Sequence, residues 1–400
     1  MAADFDILAR DPGSQARAGI LRTAHGEVRT PAFVPLATKG TVRGLLPSEV
    51  AGLGYDMVLG NTFHLHLEPG DDLIARQGGL HRFMAWDGPI ITDSGGFQVF
   101  SMGHGTVADE VKGRAPSGPD RAGRILEIRE DGVRFRSYLD GSEKFIGPET
   151  SMEIQANLGS DIALVFDECT PFHVEREYTL RSTERTHRWL ERCVRRHREL
   201  DGEASGQTLF GIVQGGAFED LRARSVEAVT SHDLVGYAIG GVSVGETRDA
   251  MRIAVRSAAP RLPEDRPRYL MGVGTPLDFV EAVAEGIDLF DCVTPTRHGR
   301  TKQAFSSQGL VNIENARFAR DPRPLDPRCA CPACRGFSRG TLRHLAKSDE
   351  MLGAILLTLH NLRFFHALFD DLRAAIEFGG WAELAARVEG DMARVLPPEL

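Results

Sequence analysis

The sequence lacks a long apolar run. No stretch of its 400 residues approaches the roughly 18 consecutive apolar residues that a membrane-spanning helix requires. The N-terminal segment MAADFDILAR also lacks the basic stretch followed by a long apolar one that marks a secretory signal. We therefore expect a cytoplasmic protein with no membrane partner.

An overall excess of positive charge is also missing. The formal net charge is −9, from 47 Lys and Arg against 56 Asp and Glu, which excludes a protein that coats nucleic acid indiscriminately. Between residues 297 and 343, however, ten Lys and Arg stand against three acidic residues. Such a local excess is typical of a phosphate-binding face on an acidic protein, and equally of a solvated Arg-rich surface.

Cysteine is scarce, and half of it lies in one short segment. Of the six cysteines, Cys329, Cys331 and Cys334 occur in CACPACRG, and the other three are scattered and expected to be reduced. In a cytosolic protein such a cluster favours a metal over disulfides. A closed tetrahedral site built on these three thiolates needs a fourth ligand.

Three histidines could supply that ligand: His344, His360 and His366. His360 lies in the long amphipathic pattern EMLGAILLTLHNLRFFHALF, from which a helix can press it onto the cysteine segment, and we therefore place it in the site. Four protein ligands match one closed structural zinc per chain and leave no open position for a catalytic metal. We accordingly expect chemistry that needs no metal.

Short apolar runs that end in glycine or polar residues recur along the chain. There are eight such runs: 31–38, 56–62, 89–96, 161–170, 208–216, 236–245, 267–275 and 286–294. Near-continuous apolar runs are typical of parallel strands buried on both faces. Helical patterns lie between most of them, including 47–54, 183–200, 219–231 and 275–286. This alternation predicts an α/β fold, a (β/α)8 TIM barrel. An open doubly wound sheet is the alternative, although no Gly-rich dinucleotide fingerprint follows the first run.

The barrel pattern has two interruptions. We expect residues 1–400 to form a single barrel domain with an insertion over 97–160 and a zinc-binding subdomain over 298–366. The first insertion contains two alternating runs joined at Asp131-Gly132, which predicts a β-hairpin. Its segment GRAPSGPDRAG (113–123) is polar and rich in Pro and Gly, so a mobile loop is expected there.

Polar residues stand where the predicted strands end, and these ends share one face of a barrel. They are Asn61, Asp93, Asp167, Gln214, Gly240-Gly241 and Asp291. Taken singly, each could be a turn residue or a helix cap. Six at equivalent ends of different strands indicate a functional site, and Asp93 and Asp291 could provide a nucleophile and an acid/base.

The remaining strand-end groups fit a planar base. Asp167 offers acceptor oxygens, Gln214 an amide donor and Gly241 a backbone N–H, a set suited to the amide edge of a purine such as guanine. Phe97 and Met271 could sandwich the ring from either side, or could simply pack the top of the barrel.

Several segments together resemble the bacterial tRNA-guanine transglycosylase family. They are DSGGFQVFS, FDECTP, GIVQGG, YAIGG, LFDCV and the Cys-x-Cys-x-x-Cys…His set, in order from TPAFVP to LHNLRFF. The resemblance implies a (β/α)8 barrel with an inserted zinc subdomain. It also implies a pentosyltransferase that exchanges the wobble guanine of tRNAs with GUN anticodons for a 7-deazaguanine, on the route to queuosine.

The resemblance also implies roles for single residues. Asp291 corresponds to the nucleophile that attacks the ribose C1′ and holds the RNA covalently, and Asp93 to the general acid/base. Base-binding residues by resemblance are Ser94, Gly95, Gly96, Phe97, Asp167, Gln214, Gly241 and Met271. RNA-contacting residues by resemblance are Gly272, Val273, Gly274, Thr275, Pro276, Leu277, Asp278, Thr296, Arg297, His298, Gly299 and Arg300. The zinc ligands are Cys329, Cys331, Cys334 and His360.

Two further expectations follow from the resemblance. The partner is the anticodon loop of tRNA, bound by a homodimer in which one tRNA spans more than one subunit. The incoming base is 7-aminomethyl-7-deazaguanine and not queuine, because the branched side chain of Val244 narrows the space beside the base.

Alternatives from other classes remain. A non-catalytic RNA-binding subunit would have lost the nucleophile, whereas Asp93 and Asp291 are both present. A related transglycosylase could act on another tRNA position or on DNA, although no RNA-binding domain is expected beyond residue 400, which favours the wobble position. An unrelated barrel hydrolase would want an open metal site.

Overall fold

The structure, a computed structural model, describes residues 4–103, 125–171, 174–202, 204–242 and 247–394. The predicted mobile segment 113–123 and Val244 of the predicted base pocket lie outside these ranges.

The strands of the described residues are β1 (Asp4–Arg10), β2 (Arg17–Thr23), β3 (Gly26–Thr30), β4 (Ala32–Val34), β5 (Leu36–Ala37), β6 (Val58–Gly60), β7 (Ile90–Thr92), β8 (Ile125–Ile128), β9 (Val133–Arg136), β10 (Glu143–Ile146), β11 (Ile162–Leu164), β12 (Thr208–Val213), β13 (Gly236–Ile239), β14 (Arg268–Leu270), β15 (Leu289–Asp291), β16 (Gln303–Ser306) and β17 (Gly309–Asn312).

Their α-helices are α1 (Pro47–Gly52), α2 (Thr62–Leu67), α3 (Asp71–Arg76), α4 (Gly79–Met84), α5 (Gly96–Gly103), α6 (Pro148–Leu158), α7 (Arg176–Glu199), α8 (Glu219–Thr230), α9 (Arg248–Ala258), α10 (Pro276–Ala284), α11 (Thr294–Arg300), α12 (Pro332–Gly336), α13 (Arg339–Lys347), α14 (Met351–Phe378) and α15 (Trp381–Ala393).

Nine parallel strand segments form a nearly closed barrel in the order β4-β15-β14-β13-β12-β11-β7-β6-β5. β4 and β5 are the two halves of the first barrel strand, separated by Pro35, which has no N–H to donate to a neighbour. The ring joins the last strand to the first, since Phe290 of β15 pairs with Phe33 of β4. Each of the eight predicted runs contains barrel strand, so the predicted (β/α)8 barrel is confirmed and the open doubly wound sheet is not adopted.

Nearly all residues of the barrel strands are buried, because both faces of the sheet are covered. All six residues of β12, TLFGIV, are buried, and so are all residues of β7, β11 and β13. The predicted helices over 47–54, 183–200, 219–231 and 275–286 are confirmed as α1, α7, α8 and α10.

An antiparallel sheet of β1, β2 and β3 closes the N-terminal end of the barrel, and the sequence reading did not predict it. Arg17 of β2 reaches Asp288, the residue before β15, with Nη2 2.6 Å from Oδ2 and both side chains buried. The site lies at the opposite end, so the N-terminal sheet supports the barrel rather than the chemistry.

The first predicted insertion contains a small sheet. β8 and β9 form an antiparallel pair around Asp131-Gly132, which confirms the predicted hairpin, and β10 adds a third strand that was not predicted. The insertion bounds at 97 and 160 and the subdomain bounds at 298 and 366 stay predictions.

Among the described residues, α14 is the one helix long and apolar enough to cross a membrane, by length and composition only. Most of its apolar window is buried inside the protein. Phe365 of this helix packs against Phe33 and Phe279, with ring centroids 5.1 Å and 5.2 Å apart. The apolar character of α14 is therefore that of a core helix.

Candidate active site and metal centre

The carboxyl ends of the barrel strands surround a cavity of about 1070 Å³. Among the predicted site residues, its wall includes Asp93, Asp167, Gly241, Met271 and Asp291. With Asn61, polar groups from five of the six predicted strand ends converge on one cavity, and Met271 adds an apolar part of the wall. Gln214, the sixth strand-end residue, is not in the wall.

Asp93 follows β7 and is buried beneath this cavity. Its carboxylate accepts hydrogen bonds from the backbone N–H of Thr62 at 2.8 Å, from Asn61 Nδ2 at 2.5 Å and from Gln98 Nε2 at 3.0 Å. Burial nevertheless raises the pKa of Asp93 to about 7, and the nearby charge of Asp291 adds to the rise. A carboxyl with such a pKa can take up or release a proton near neutral pH.

Asp291 ends β15 and is also buried. Its Oδ1 accepts two hydrogen bonds, from the hydroxyl of Tyr269 at 2.5 Å and from the backbone N–H of Gly272 at 2.8 Å. Burial raises the pKa of Asp291 above its ordinary value, while the two donors oppose that rise because they stabilise the ionised form. The carboxylate is thus held in a fixed orientation at the cavity wall.

Asp167 follows β11 and bonds to two side chains predicted to act with it. Ser94 Oγ donates to its Oδ1 at 3.0 Å, and Gln214 Nε2 donates to its Oδ2 at 2.6 Å. Burial raises the pKa of Asp167 to about 6. Gly96 lies so close that a Cβ there would be 2.5 Å from the backbone oxygen of Asp167, which explains the glycine.

Gly241 adopts a left-handed conformation, with φ of +64°. A Cβ at this position would lie 2.3 Å from Gln214 Oε1, so the main chain can approach the Gln214 amide only without a side chain. Phe97 and Met271, the predicted stacking residues, are half-buried and both line the cavity.

The predicted RNA-contacting residues divide into two groups. Those in the cavity wall are Gly272, Val273, Gly274, Thr275, Asp278 and Arg297. The other six lie in the helices α10 and α11: Pro276, Leu277, Thr296, His298, Gly299 and Arg300. Some of these pack internally: His298 stacks on Phe305 at 5.1 Å, and a Cβ at Gly299 would be 2.3 Å from Thr358 Oγ1.

A protein-family model described as queuine tRNA-ribosyltransferase matches residues 11–394. The chain belongs to this family. A queuine tRNA-ribosyltransferase of Pelotomaculum thermopropionicum is 50% identical over 379 residues, 95% of this chain and 96% of the relative. One of the same name from Cereibacter sphaeroides is 48% identical over 393 residues, 97% of this chain and 98% of the relative. The family resemblance of the sequence is confirmed, and the chain is an enzyme of the pentosyltransferase class.

The predicted metal ligands of this family member also come together. The ligand atoms of Cys329, Cys331, Cys334 and His360 all lie within 4.8 Å of one another. His360 Nδ1 is 3.6 Å from Cys331 Sγ and 3.3 Å from Cys334 Sγ. The other ring nitrogen, Nε2, lies 2.7 Å from the carbonyl oxygen of Phe305 and donates to it, so Nδ1 is free to bind a metal.

The donor set fits a metal and selects among the three candidate histidines. His366 instead places Nε2 2.8 Å from the carbonyl oxygen of Gly54, away from the cysteines. Three soft sulfurs, of which Cys331 and Cys334 are buried and Cys329 is half-buried, together with one buried imidazole match the closed tetrahedral sites that zinc occupies.

The metal cluster is connected to the loop that follows Asp291. Asn361, the residue after His360, donates Nδ2 to the carbonyl oxygens of Pro295 and Gln303, both at 3.0 Å. Its Oδ1 accepts the backbone N–H of Phe305 at 2.9 Å. α14 therefore holds the cysteine cluster and α11 in one arrangement.

Three residues of this site were not assigned a role from the sequence. Tyr269 and Gln98 were not singled out, and Asn61 was noted only as a strand-end residue. Tyr269 is a buried aromatic residue in a strand, a pattern that is typical of a core residue. Gln98 lies five residues beyond Asp93, in the first turn of α5, and lines the cavity.

Proposed function

We propose that this enzyme exchanges the wobble guanine of tRNAs with GUN anticodons for a 7-deazaguanine through a covalent enzyme–RNA intermediate, in queuosine synthesis. The observation that carries the proposal is the pair of buried carboxyls in one cavity. Asp291 is held by two donors on Oδ1, whereas the pKa of Asp93 lies at about 7. The two carboxyls therefore differ in their hydrogen-bond donors and in their pKa, which suits one of them as a nucleophile and the other as a proton carrier.

The base is recognised before the chemistry. Guanine presents N–H donors at N1 and at its 2-amino group, which match the acceptor oxygens of Asp167, and an acceptor at O6. Gln214 has two amide hydrogens, so it can keep its bond to Asp167 and still donate to O6. The N–H of Gly241 is the second O6 donor, and Phe97 and Met271 flank the ring.

The first half-reaction forms the covalent bond. A carboxylate oxygen of Asp291 attacks C1′ of the ribose, and the C1′–N9 bond breaks with its electron pair going to the base. The carboxyl of Asp93 gives its proton to the departing guanine and becomes a carboxylate. The hydrogen bonds of Tyr269 and Gly272 to Oδ1 hold the nucleophile in one orientation.

The second half-reaction reverses the first with a different base. The incoming 7-deazaguanine loses its N9 proton to the Asp93 carboxylate, and N9 attacks C1′. The ester bond to Asp291 then breaks, and that carboxylate leaves with the electron pair. Asp93 ends protonated, as it began, so the exchange consumes no net proton.

We further propose that Cys329, Cys331, Cys334 and His360 bind one zinc per chain. Four ligands close the coordination sphere, so the metal stabilises the fold of the cysteine segment and takes no part in the exchange. The enclosed geometry of the four ligand atoms supports this assignment.

We also propose that the enzyme is a cytoplasmic homodimer. Its incoming base, in this proposal, is 7-aminomethyl-7-deazaguanine. The dimer rests on the family resemblance, and exposed apolar side chains such as Leu46 and Met351 are available for a subunit contact. Light scattering should give twice the chain mass, and a fully active monomer would contradict the dimer. The family is named after queuine. The smaller base is supported by the volume of the Val244 side chain.

The decisive experiment is a single incubation of the enzyme with radiolabelled guanine and tRNA that lacks the modification. Label should enter tRNAs with a G34 and a U35, and a G34→A transcript should take up none. Labelling at another position, or in DNA, would favour a related transglycosylase instead. Binding of tRNA without any exchange would favour the non-catalytic subunit.

A further inference from the structure

Arg222 of α8 is a fully buried arginine whose guanidinium binds backbone carbonyls at the ends of two neighbouring strands. Nη1 donates to the oxygens of Val213 at 3.0 Å and Gly240 at 2.7 Å, and Nε donates to Gly216 at 2.8 Å. Nη2 lies 3.3 Å from the oxygen of Gly241. Burial of a guanidinium is costly unless its donors are satisfied, so these bonds fix the loops after β12 and β13 relative to each other.

The Gly240 carbonyl determines where the next amide points. This peptide is trans, since the cis bonds of the described chain precede Pro31 and Pro69. In a trans peptide the C=O of one residue and the N–H of the next point in opposite directions. Because the Gly240 carbonyl points at Arg222, the N–H of Gly241 points away from Arg222. Both glycines line the cavity and Arg222 does not, so that N–H faces the cavity.

The same helix also holds the second base-reading group. Ser225, one turn after Arg222, accepts a hydrogen bond on Oγ from the backbone N–H of Gln214 at 3.0 Å. His187 Nε2 lies 3.1 Å from the same Oγ, which fixes the hydroxyl. One face of α8 therefore positions both Gln214 and Gly241 without reaching the cavity itself.

We propose that Arg222 is a positioning residue for base recognition, which aims the N–H of Gly241 at the O6 acceptor of the base. The proposal rests on the proposed function, in which Gly241 reads that acceptor. Lysine cannot substitute, because one ammonium cannot serve carbonyls that lie around a planar, forked guanidinium. Arg222 thereby controls recognition of the base, both as free guanine and as the wobble guanine of the tRNA, and not the binding of the tRNA backbone.

The test compares Arg222→Lys with Arg224→Lys, an exposed arginine on the same helix that pairs with Glu184. Arg222→Lys should raise KM for guanine about 10-fold or more and slow single-turnover capture to a similar extent, while the Kd for tRNA, which depends mainly on phosphate contacts, stays within about threefold. Inhibition by 2-aminopurine, which has no O6, should be unchanged. The control should match the wild type. Equal weakening of guanine and 2-aminopurine, or an unchanged KM, would overturn the inference.

A second measurement uses the wild-type protein, so it does not depend on whether the variant folds. Hydrogen exchange at the Gly241 amide, resolved by fragmentation mass spectrometry, should slow about 10-fold or more with guanine and remain unchanged with 2-aminopurine. An amide that guanine leaves unprotected would overturn the inference. Absence of guanine exchange by the wild type, in contrast, would contradict the proposed function itself.

Discussion

The hydroxyl of Tyr269 donates a 2.5 Å hydrogen bond to Oδ1 of Asp291 from a fully buried phenol ring. Burial and the adjacent carboxylate raise the pKa of Tyr269 well above its ordinary value, so the phenol remains a donor throughout the working pH range. The nucleophile is therefore stabilised by a group that cannot itself lose its proton. Its contribution can be measured directly.

Tyr269→Phe should slow covalent capture of tRNA about 10- to 100-fold. A hydrogen bond to a charged group is worth roughly 1.5–3 kcal/mol, and its loss leaves Asp291 less well oriented and less readily ionised. The acid limb of the single-turnover pH profile should also move to higher pH, because a donor that lowers the pKa of Asp291 is gone.

Tyr237→Phe is the matched control for that change. Tyr237 is also buried, in the adjacent strand, and its hydroxyl donates to the carbonyl oxygen of His232 at 2.9 Å, away from the cavity. If both variants slow capture equally, or if the acid limb of Tyr269→Phe stays in place, Tyr269 has only a packing role.

The two half-reactions should respond to pH in opposite directions. Burial raises the pKa of Asp93 to about 7, so the proton that departing guanine needs is present below that pH and lost above it. Covalent capture should slow about tenfold per pH unit above pH 7. Attack by the incoming base needs the Asp93 carboxylate, so release of the RNA should slow as pH falls below 7.

Rapid-quench measurements of capture and release, each over pH 5.5–9, test this opposition. Asp93→Asn should remove both dependences along with most of the exchange. Parallel pH profiles for the two half-reactions would show that one carboxyl does not serve both bases.

The metal cluster should matter for folding and not for chemistry. His360→Ala should lower zinc content and solubility together, since metal binding and local folding are linked. Cys331→Ser should do the same. His366→Ala, on the same helix but bonded to Gly54, should keep the full zinc content. Atomic absorption measures the zinc content, and the soluble fraction after expression measures solubility. A folded, fully active, zinc-free protein would contradict the structural role of the metal.

Val244→Gly should relax the choice of the incoming base. Overpacking a filled pocket costs about 1–3 kcal/mol, roughly one to two decades in selectivity, so the wild type should accept 7-aminomethyl-7-deazaguanine and reject queuine. The variant should accept both, with guanine release unchanged. Equal kcat/KM for the two bases in the wild type would leave Val244 as a packing residue.

The barrel was predictable because its signal is local and repeated. Each apolar run marks a strand that is buried on both faces, and its polar end marks the site. The predicted runs are longer than the strands, because each run included the polar and glycine residues that follow the strand. The run 208–216, for example, contains Gln214 and two glycines beyond the end of β12 at Val213. The N-terminal sheet was missed because β1 alternates between exposed and buried residues instead of forming a continuous run.

The supporting residues of the site could not be found from sequence patterns. Arg222 lies in a helical pattern rich in charge, where a basic residue normally faces solvent, yet it is fully buried. Tyr269 looks like any buried strand aromatic until its hydroxyl is placed on Asp291. Both roles depend on distant segments that only the closed barrel brings together.

In the proposed mechanism Asp291 carries the RNA, and mapping the covalent adduct examines this step itself. Enzyme incubated with unmodified tRNA and no added base is denatured, digested with nuclease and protease, and sequenced by mass spectrometry. The ribose adduct should lie on Asp291, and Asp291→Asn should form none while binding tRNA within about threefold of the wild type, since affinity comes mainly from phosphate contacts. An adduct on Asp93, or a trapped complex with Asp291→Asn, would contradict the mechanism.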